Sequence, residues 1–268
     1  MRSRETTISN VGEKLLEIRN VVVRFGGLTA LDNVSFDVAP GEIRGLIGPN
    51  GSGKTTLFNC ISNIYRYQSG EILLRGRRTC DLPRHHMSAL GLGRTFQNVA
   101  LFATMTVRDN ILVGAHHLGR SGFIADCLGS PRARRDEQGL TTRLDRLLEL
   151  MDLQSEAETT VANLPFATQK RVELARALLG EPALLLLDEP AGGLNHEEVN
   201  QLAGLIRTIR SSFDLGILLV EHHMNLVMTV SDQVVALEFG RKIAEGSPAQ
   251  VQNDPEVVRA YLGSEEAA

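Results

Sequence analysis

The amino-acid sequence predicts an α/β fold, with a mainly parallel core sheet, an antiparallel β-subdomain and an inserted α-helical subdomain. Three observations support this prediction. An apolar run leads into a glycine-rich turn and a helical pattern at residues 42–61, a second ends in two carboxylates at residues 182–190, and a third ends in a polar cluster at residues 216–223. Such runs are typical of buried parallel strands, and ligands bind at the carboxyl ends of these strands.

The composition indicates one large folded domain. The 268 residues are 43% hydrophobic, and a net charge of −4 at pH 7 provides no basic footprint for nucleic acid. An odd count of three cysteines without a CxxC pair suits buried thiols in a reducing cytosol. Residues 1–13 predict a mobile tail without a secretory signal, and no apolar run is long enough to span a bilayer. The cysteines are Cys60, Cys80 and Cys127.

Two strands are predicted ahead of the glycine-rich turn. Residues 15–25 are rich in β-branched side chains and end at a Gly-Gly pair. Residues 31–38 alternate apolar and polar side chains before a Pro-Gly turn. Together they predict an antiparallel sheet beside the glycine-rich turn.

The glycine-rich turn, Gly48–Thr55, reads GPNGSGKT, which is the GxxxxGK[ST] phosphate loop in its strand-to-helix context. Its glycines let backbone N–H groups approach a phosphate at the start of a helix. Lys54 can reach the terminal phosphates, and the Thr55 hydroxyl can bind Mg²⁺. A turn without any ligand is the less favoured alternative. Phe25 is a candidate for stacking on the base, and a buried core phenylalanine is about as well supported. The predicted contacts of the loop are Gly48, Asn50, Gly51, Ser52, Gly53, Lys54, Thr55 and Thr56.

The next elements are a strand at residues 70–76 and a helical stretch at residues 83–90. Gln97 lies just after them, where a lone glutamine is most often a surface amide. Neighbouring histidines do not share a helix face, so we expect surface residues rather than a metal site. These pairs are His85 and His86, and His116 and His117.

Residues 107–151 predict helices around a surface excursion. The excursion, residues 114–136, contains several turn-forming residues and a basic run that predicts a solvated face. After it, apolar residues at i, i+4, i+7, i+8 and i+11 predict one buried helix face. This stripe comprises Leu140, Leu144, Leu147, Leu148 and Met151.

Two later strands end in polar residues. Four leucines bounded by prolines predict a buried parallel strand that ends at Asp188 and Glu189. We expect Asp188 to hold Mg²⁺ through water and Glu189 to polarise an attacking water, with a helix-capping pair as the alternative. The last parallel strand, residues 216–220, ends in Glu-His-His, and His222 is the candidate for contact with the γ-phosphate or that water.

The phosphate loop, Gln97, residues 187–190 and His222, in this order, resemble the nucleotide-binding domain of ABC ATPases. The resemblance extends over residues 15–263 and implies a P-loop NTPase of ABC type. Within that family, the chain is similar to the ATP-binding subunits of importers of branched-chain amino acids, whose relatives carry other amino acids, urea or amides. The excursion after Gln97 and the stretches at residues 188–195 and 253–263 point to this group.

The resemblance implies a role for each candidate residue. Phe25 stacks on the adenine of ATP, and Gln97 joins Thr55 at Mg²⁺. Glu189 is the general base, and His222 is the switch histidine. The family closes two such domains head to tail, so each ATP lies between one phosphate loop and the signature segment of the opposite chain.

The implied function is energy coupling at a membrane. The expected partners are transmembrane permease subunits, a second ABC ATPase subunit and, indirectly, a periplasmic solute-binding protein. The expected location is the cytoplasmic face of the inner membrane. Two alternatives stay open at this point: a nucleotide-gated regulatory subunit with weak hydrolysis, and a soluble ABC ATPase outside transport.

One motif departs from the family, because LPFAT at residues 164–168 replaces the Leu-Ser-Gly-Gly-Gln signature. Pro165 lacks both the hydroxyl and the N–H of the serine, and Ala167 places a Cβ where the phosphate approaches. The helix N-terminus and the Thr168 hydroxyl are expected substitutes. If the second ATPase is a different chain with a full signature, we hypothesise an asymmetric pair of sites, in which the degenerate signature weakens the site on the partner. In a homodimer both sites would be impaired. The degenerate segment is Pro165, Phe166, Ala167 and Thr168.

The expected organisation is a single domain between two tails. The tails are residues 1–13 and 264–268. Residues 14–263 form the domain, of which 14–97 and 165–246 are the core with its β-subdomain, 98–164 the helical subdomain and 247–263 the C-terminal helices.

Overall fold

The computed structural model describes residues 14–116, residue 118 and residues 131–262. Within them the strands are β1 (Leu16–Phe25), β2 (Leu28–Val38), β3 (Ile43–Ile47), β4 (Ser69–Leu74), β5 (Arg77–Arg78), β6 (Leu92–Arg94), β7 (Leu184–Asp188), β8 (Gly216–Val220), β9 (Gln233–Glu238) and β10 (Arg241–Gly246). The α-helices are α1 (Lys54–Ile61), α2 (Val107–Val113), α3 (Pro131–Leu150), α4 (Phe166–Leu179), α5 (His196–Phe213), α6 (Met224–Val230), α7 (Pro248–Gln252) and α8 (Pro255–Leu262).

The described strands form two sheets. One has six strands in the order β10-β9-β3-β8-β7-β6; its strands are parallel except β10, which is antiparallel to β9. The other is antiparallel and has four strands in the order β2-β1-β4-β5. The predicted α/β fold, with a mainly parallel sheet and a separate antiparallel sheet, is confirmed.

Strand β7 lies between two hydrophobic clusters. All five of its residues are buried. Leu184 and Leu186 pack in one cluster with β1, β2 and α1, whereas Leu185 and Leu187 pack in the other with α2 to α6. Because successive side chains of a strand leave opposite faces, a strand covered on both faces needs a continuous apolar run.

The antiparallel pair formed by β1 and β2 is also as predicted, with a longer second strand. The prediction begins that strand at Leu31, but β2 begins at Leu28. The reason is local, because Phe25 and Leu28 pair directly across the turn formed by Gly26 and Gly27. Gly26 has a φ of 57°, a conformation that glycine adopts without strain.

The helix predicted at residues 83–90 is wrong. Only a 3₁₀ turn forms there, at Arg84–His86. Gly91 has a φ of 97°, which is incompatible with a right-handed helix, and the backbone hydrogen bonds within the segment mostly form single turns. Its buried side chains, Met87 and Leu90, join the same cluster as β1 and β2.

The predicted apolar stripe is confirmed on α3. Leu144, Leu147, Leu148 and Met151 are buried, and Leu140 packs against them partly exposed. The excursion is shorter than predicted, because α3 already begins at Pro131 and includes the basic run. Proline is favoured in a first helical turn, where its missing N–H costs nothing. Residue 117 and residues 119–130 of the excursion, which include His117 and Cys127, lie outside the described residues.

The end of the described chain forms two short capped helices. The Ser247 hydroxyl accepts the Gln250 N–H at the start of α7. At the start of α8, the Asp254 carboxylate accepts the N–H groups of Glu256 and Val257. Such bonds satisfy N–H groups that a helix start otherwise leaves unpaired. Among the described helices, none combines the length and the apolar content that a membrane span requires.

Candidate functional site

The phosphate loop connects β3 to α1, and its backbone is tightly enclosed. Gly53, the residue before α1, has a φ of 104°, and a Cβ there would lie 2.7 Å from the Ala30 carbonyl oxygen. At Gly48, a Cβ would lie 2.2 Å from the Leu237 carbonyl oxygen. Both positions therefore require glycine. The loop is thereby held in the shape that turns backbone N–H groups toward an anion at a helix start.

Lys54 is buried within the loop that it belongs to. Its ammonium group donates hydrogen bonds to the carbonyl oxygens of Gly48 at 2.7 Å and Pro49 at 2.9 Å. Burial lowers the pKa of Lys54, while the carboxylates of Glu189 and Asp188 act in the opposite direction. These interactions place the end of β7 and the loop in one electrostatic site.

Asp188 is buried and paired with Arg94, a residue that the sequence analysis does not identify. The guanidinium donates to an Asp188 oxygen at 3.0 Å. It also donates to Asn59 Oδ1 at 3.0 Å and Ser62 Oγ at 2.9 Å, at the end of α1. Burial raises the pKa of Asp188, and the charge of Arg94 opposes that shift. The sequence signal that could have indicated this ion pair is an arginine on β6, the strand next to the buried β7.

The structure brings Gln97, Glu189 and His222 together at the carboxyl ends of the parallel strands. The Gln97 amide donates to a Glu189 carboxylate oxygen at 2.8 Å. The His222 Nδ1 lies 3.7 Å from the same oxygen and 3.9 Å from a Glu221 oxygen. Glu189 itself has a φ of 47°, a left-handed conformation uncommon outside glycine. Strained backbone of this kind is often found at functional sites.

The donors predicted for Mg²⁺ fit a hard cation. Asp188 offers a carboxylate, Gln97 an amide oxygen and Thr55 an exposed hydroxyl in the first turn of α1. Mg²⁺ prefers oxygen ligands and keeps several waters. Glu189 and Asp188 both interact with Lys54, so the negative charge at the end of β7 lies close to the loop that is predicted to bind phosphate.

A carboxylate on α4 fixes the segment that carries Gln97. Glu173 Oε1 accepts the backbone N–H of Phe96 at 3.3 Å and that of Ala100 at 3.4 Å. Burial raises the pKa of Glu173, and these two hydrogen bonds oppose the shift. The sequence signal for this role is a carboxylate placed between the apolar residues Val172 and Leu174.

The degenerate signature forms the start of α4. Pro165 precedes the helix, and its side chain makes no capping hydrogen bond. Thr168 is buried, with 8% exposure, which does not favour its hydroxyl as a contact for a partner's phosphate. Phe166 is instead 44% exposed and packs against Gly193. The Lys170 Nζ lies 5.3 Å from the centroid of its ring. The exposed residues at this helix start are therefore Pro165 and Phe166.

Phe25 lies at the end of β1 and is 47% exposed, so the alternative of a buried core phenylalanine is wrong. Its ring contacts Tyr65 edge to face, with centroids 5.5 Å apart. Tyr65 follows α1 and was missed by the sequence analysis. An exposed aromatic pair is compatible with base stacking, which stays a prediction.

The histidine pairs behave as expected where they are described. His85, His86 and His116 are exposed. A different group, Glu221, His222 and His223, has metal-binding atoms within 4.8 Å of one another. The Glu221 carboxylate, however, already accepts backbone N–H groups from Ala191, His222 and His223. These three hydrogen bonds stabilise the backbone that follows the ends of β7 and β8.

Comparisons with known proteins find relatives that match along most of the chain. A family model described as ABC transporter matches residues 31–192. A second, described as branched-chain amino acid ATP-binding cassette transporter, matches residues 241–267. The chain is 42% identical over 253 residues to the high-affinity branched-chain amino acid transport ATP-binding protein LivG of Escherichia coli (strain K12), covering 94% of this chain and 99% of the relative. It is 40% identical over 249 residues to BraF of Pseudomonas aeruginosa, covering 93% and 98%.

Solved structures show the same fold. A nucleotide-free ATP-binding cassette from an ABC transporter is similar with a TM-score of 0.79 and 27% identity, covering 93% of this chain and 99% of the other. The ADP conformation of an ATP-binding cassette is similar with a TM-score of 0.79 and 27% identity, covering 94% and 99%.

Proposed function

The chain belongs to the ABC transporter family of ATP-binding proteins, and on this premise we propose that it binds and hydrolyses ATP to power an importer of branched-chain amino acids or a related small polar solute. The observation that carries the proposal is the hydrogen bond from Gln97 Nε2 to Glu189 Oε2, 2.8 Å long, beside the loop that contains Lys54. The solute class follows from the relatives, which are named as branched-chain amino acid transport ATP-binding proteins.

In this proposal the phosphate loop binds the phosphates, with Lys54 at the terminal ones. Glu189 orients and polarises the attacking water, and His222 lies beside it to contact the γ-phosphate. Thr55, Gln97 and Asp188 would hold Mg²⁺, which would supply positive charge to stabilise the transferred phosphoryl group. Phe25, together with Tyr65, offers the aromatic surface for adenine.

The proposed partners are transmembrane permease subunits, a second ABC ATPase and, indirectly, a periplasmic solute-binding protein. The chain then works as a peripheral subunit at the cytoplasmic face of the inner membrane. We place the permease contact in residues 97–118. Phe96 and Phe102 support this position, because they are 42% and 52% exposed close to Gln97. A large exposed apolar side chain is favoured at a protein interface.

We further propose that the two ATP sites of the assembly are unequal. For the site built on Lys54 and Glu189, this chain supplies the phosphate loop, Gln97, Asp188 and His222 as well. The reciprocal site, on the partner, depends on the segment Pro165–Thr168. That segment offers an exposed Phe166 and a buried Thr168 in place of the family's serine.

The test is ATP turnover of the reconstituted transporter. Glu189→Gln should lower turnover by roughly 100-fold or more, since a general base typically contributes that factor. Glu149→Gln, at an exposed carboxylate on α3, is the matched control and should leave turnover unchanged. If ATP turnover is undiminished in Glu189→Gln, the proposal that Glu189 acts as the general base of hydrolysis in this chain is contradicted.

Asymmetry is tested by making the corresponding change in the second ATPase. The loss from Glu189→Gln in this chain should exceed the loss from the change in the partner. Equal losses would contradict unequal sites and leave the ATPase function in place.

A further inference from the structure

The C-terminal helix α8 reaches the back of the phosphate loop. The backbone N–H of Gly48 donates a hydrogen bond to the Tyr261 hydroxyl, with 2.8 Å between N and O. Helix α8 is fixed at its start by the Asp254 carboxylate. Along its length, Val257 and Ala260 are buried, and Val257 packs in the larger hydrophobic cluster. The tyrosine is therefore held on an anchored element.

Gly48 is the point where the loop leaves the core sheet. It follows the last residue of β3, and no side chain fits there, because a Cβ would lie 2.2 Å from the Leu237 carbonyl oxygen. On the other side of its Cα, the Gly48 carbonyl accepts the Lys54 ammonium at 2.7 Å. Tyr261 thus bonds to the same residue that receives the lysine.

The hydroxyl of Tyr261 stays protonated in this environment. Burial raises the pKa of Tyr261, and the hydrogen bond from Gly48 only partly opposes the shift. A neutral hydroxyl accepts the backbone N–H without placing a negative charge behind a loop that binds anions.

We propose that Tyr261 is a positioning residue of the nucleotide site. Its hydroxyl fixes the first residue of the phosphate loop and thereby the carbonyl oxygen that orients Lys54. The inference rests on the proposed ATP-binding function and extends the site to the C-terminal segment, within the region matched by the branched-chain amino acid family model. Nucleotide affinity in this chain therefore depends on α8, which lies far along the sequence from the loop.

The test compares two tyrosines that make the same kind of contact. Tyr261→Phe removes only the hydroxyl. Tyr67→Phe is the matched control, because the Tyr67 hydroxyl likewise accepts a backbone N–H, that of Ile72, at 3.3 Å. On the full chain, the dissociation constant for MgATP is measured by equilibrium binding, and stability is measured by the urea midpoint.

Tyr261→Phe should raise the dissociation constant for MgATP roughly 2- to 10-fold, the size of effect expected when the hydrogen bond from Gly48 is lost. Tyr67→Phe should lower the urea midpoint about as much as Tyr261→Phe does. Its dissociation constant for MgATP should stay that of the parent. In the assembled transporter, Tyr261→Phe should raise KM more than it lowers kcat, because the chemistry at Glu189 is untouched.

The inference is overturned if Tyr261→Phe binds MgATP as tightly as the parent, or if Tyr67→Phe weakens binding equally. A parent chain that does not bind MgATP overturns the proposed function itself, so the two failures are distinguishable.

Discussion

At the scale of single residues, Arg94 joins two elements of the site, β7 and α1. Its guanidinium bonds to Asp188 at the end of β7 and to Asn59 and Ser62 at the end of α1. The side chain is 10% exposed, and that of Asp188 is 6% exposed. A charge this deeply buried is stable only while its partner is present.

Arg94→Ala should therefore lower the free energy of unfolding by about 3 kcal/mol or more, the usual cost of breaking a buried ion pair. Arg143→Ala is the matched control. Arg143 pairs with Glu181 at 3.1 Å, but their side chains are 47% and 53% exposed. The control should cost about 0–1 kcal/mol. Urea denaturation measures both values, and equal losses would show that the Arg94 pair contributes no more than a surface pair.

The candidate residues differ in how far the sequence predicts them. Lys54, Asp188 and Glu189 belong to short motifs whose spacing carries the chemistry. Gln97 and His222 lie at strand ends, and the parallel topology brings them to one edge. Arg94, Glu173 and Tyr261 act through partners far along the chain, and no local pattern indicates which partner each will meet.

At the scale of elements, α4 is tied to the segment that carries Gln97. Glu173 on α4 accepts the N–H groups of Phe96 and Ala100, on either side of that glutamine. The helix also begins at the signature segment. A displacement of α4 would therefore move the loop around Gln97 with it, which links the signature to the site in the same chain.

The charge of Glu173 predicts a pH dependence. Because burial raises the pKa of Glu173, the unfolded chain loses this proton at a lower pH than the folded chain. The contribution of this group to stability is thus fully present below about pH 4.5, the ordinary value, and is lost as the pH rises through the raised pKa.

Glu173→Gln keeps an acceptor oxygen and cannot ionise. Its free energy of unfolding relative to the parent should increase as the pH rises from about 4 to 7. Glu173→Ala leaves two N–H groups without their acceptor and should cost about 2 kcal/mol or more at neutral pH. Urea titrations across this range measure both effects. A constant difference between Glu173→Gln and the parent would contradict the raised pKa.

At the scale of the whole molecule, the two sheets share one hydrophobic cluster. Leu184 and Leu186 of the core sheet pack with Leu16 and Val21 of the antiparallel sheet. The sequence predicts this layering well, because a run of leucines between prolines leaves no polar face. It fails at residues 83–90 and at Pro131, where element ends depend on local proline and glycine geometry.

The layered core also predicts how nucleotide stabilises the molecule. The phosphate loop lies between the end of β3 and the start of α1. Because the loop has this shape only in the folded chain, nucleotide binds the folded state and not the unfolded chain. At a free MgATP concentration of about 100 times Kd, binding adds about 2.7 kcal/mol to the free energy of unfolding. For a domain of this size, Tm should rise by about 5–10 °C.

Two changes test where this stabilisation originates. Lys54→Met should remove most of the rise, because it removes the ammonium group that is predicted to reach the terminal phosphates. If the proposed Mg²⁺ site is correct, chelation of Mg²⁺ should reduce the rise in the parent, since the negative charges of Asp188 and Glu189 would then repel the phosphates. Calorimetry measures both. If Lys54→Met keeps the full rise in Tm, nucleotide binds somewhere other than this loop.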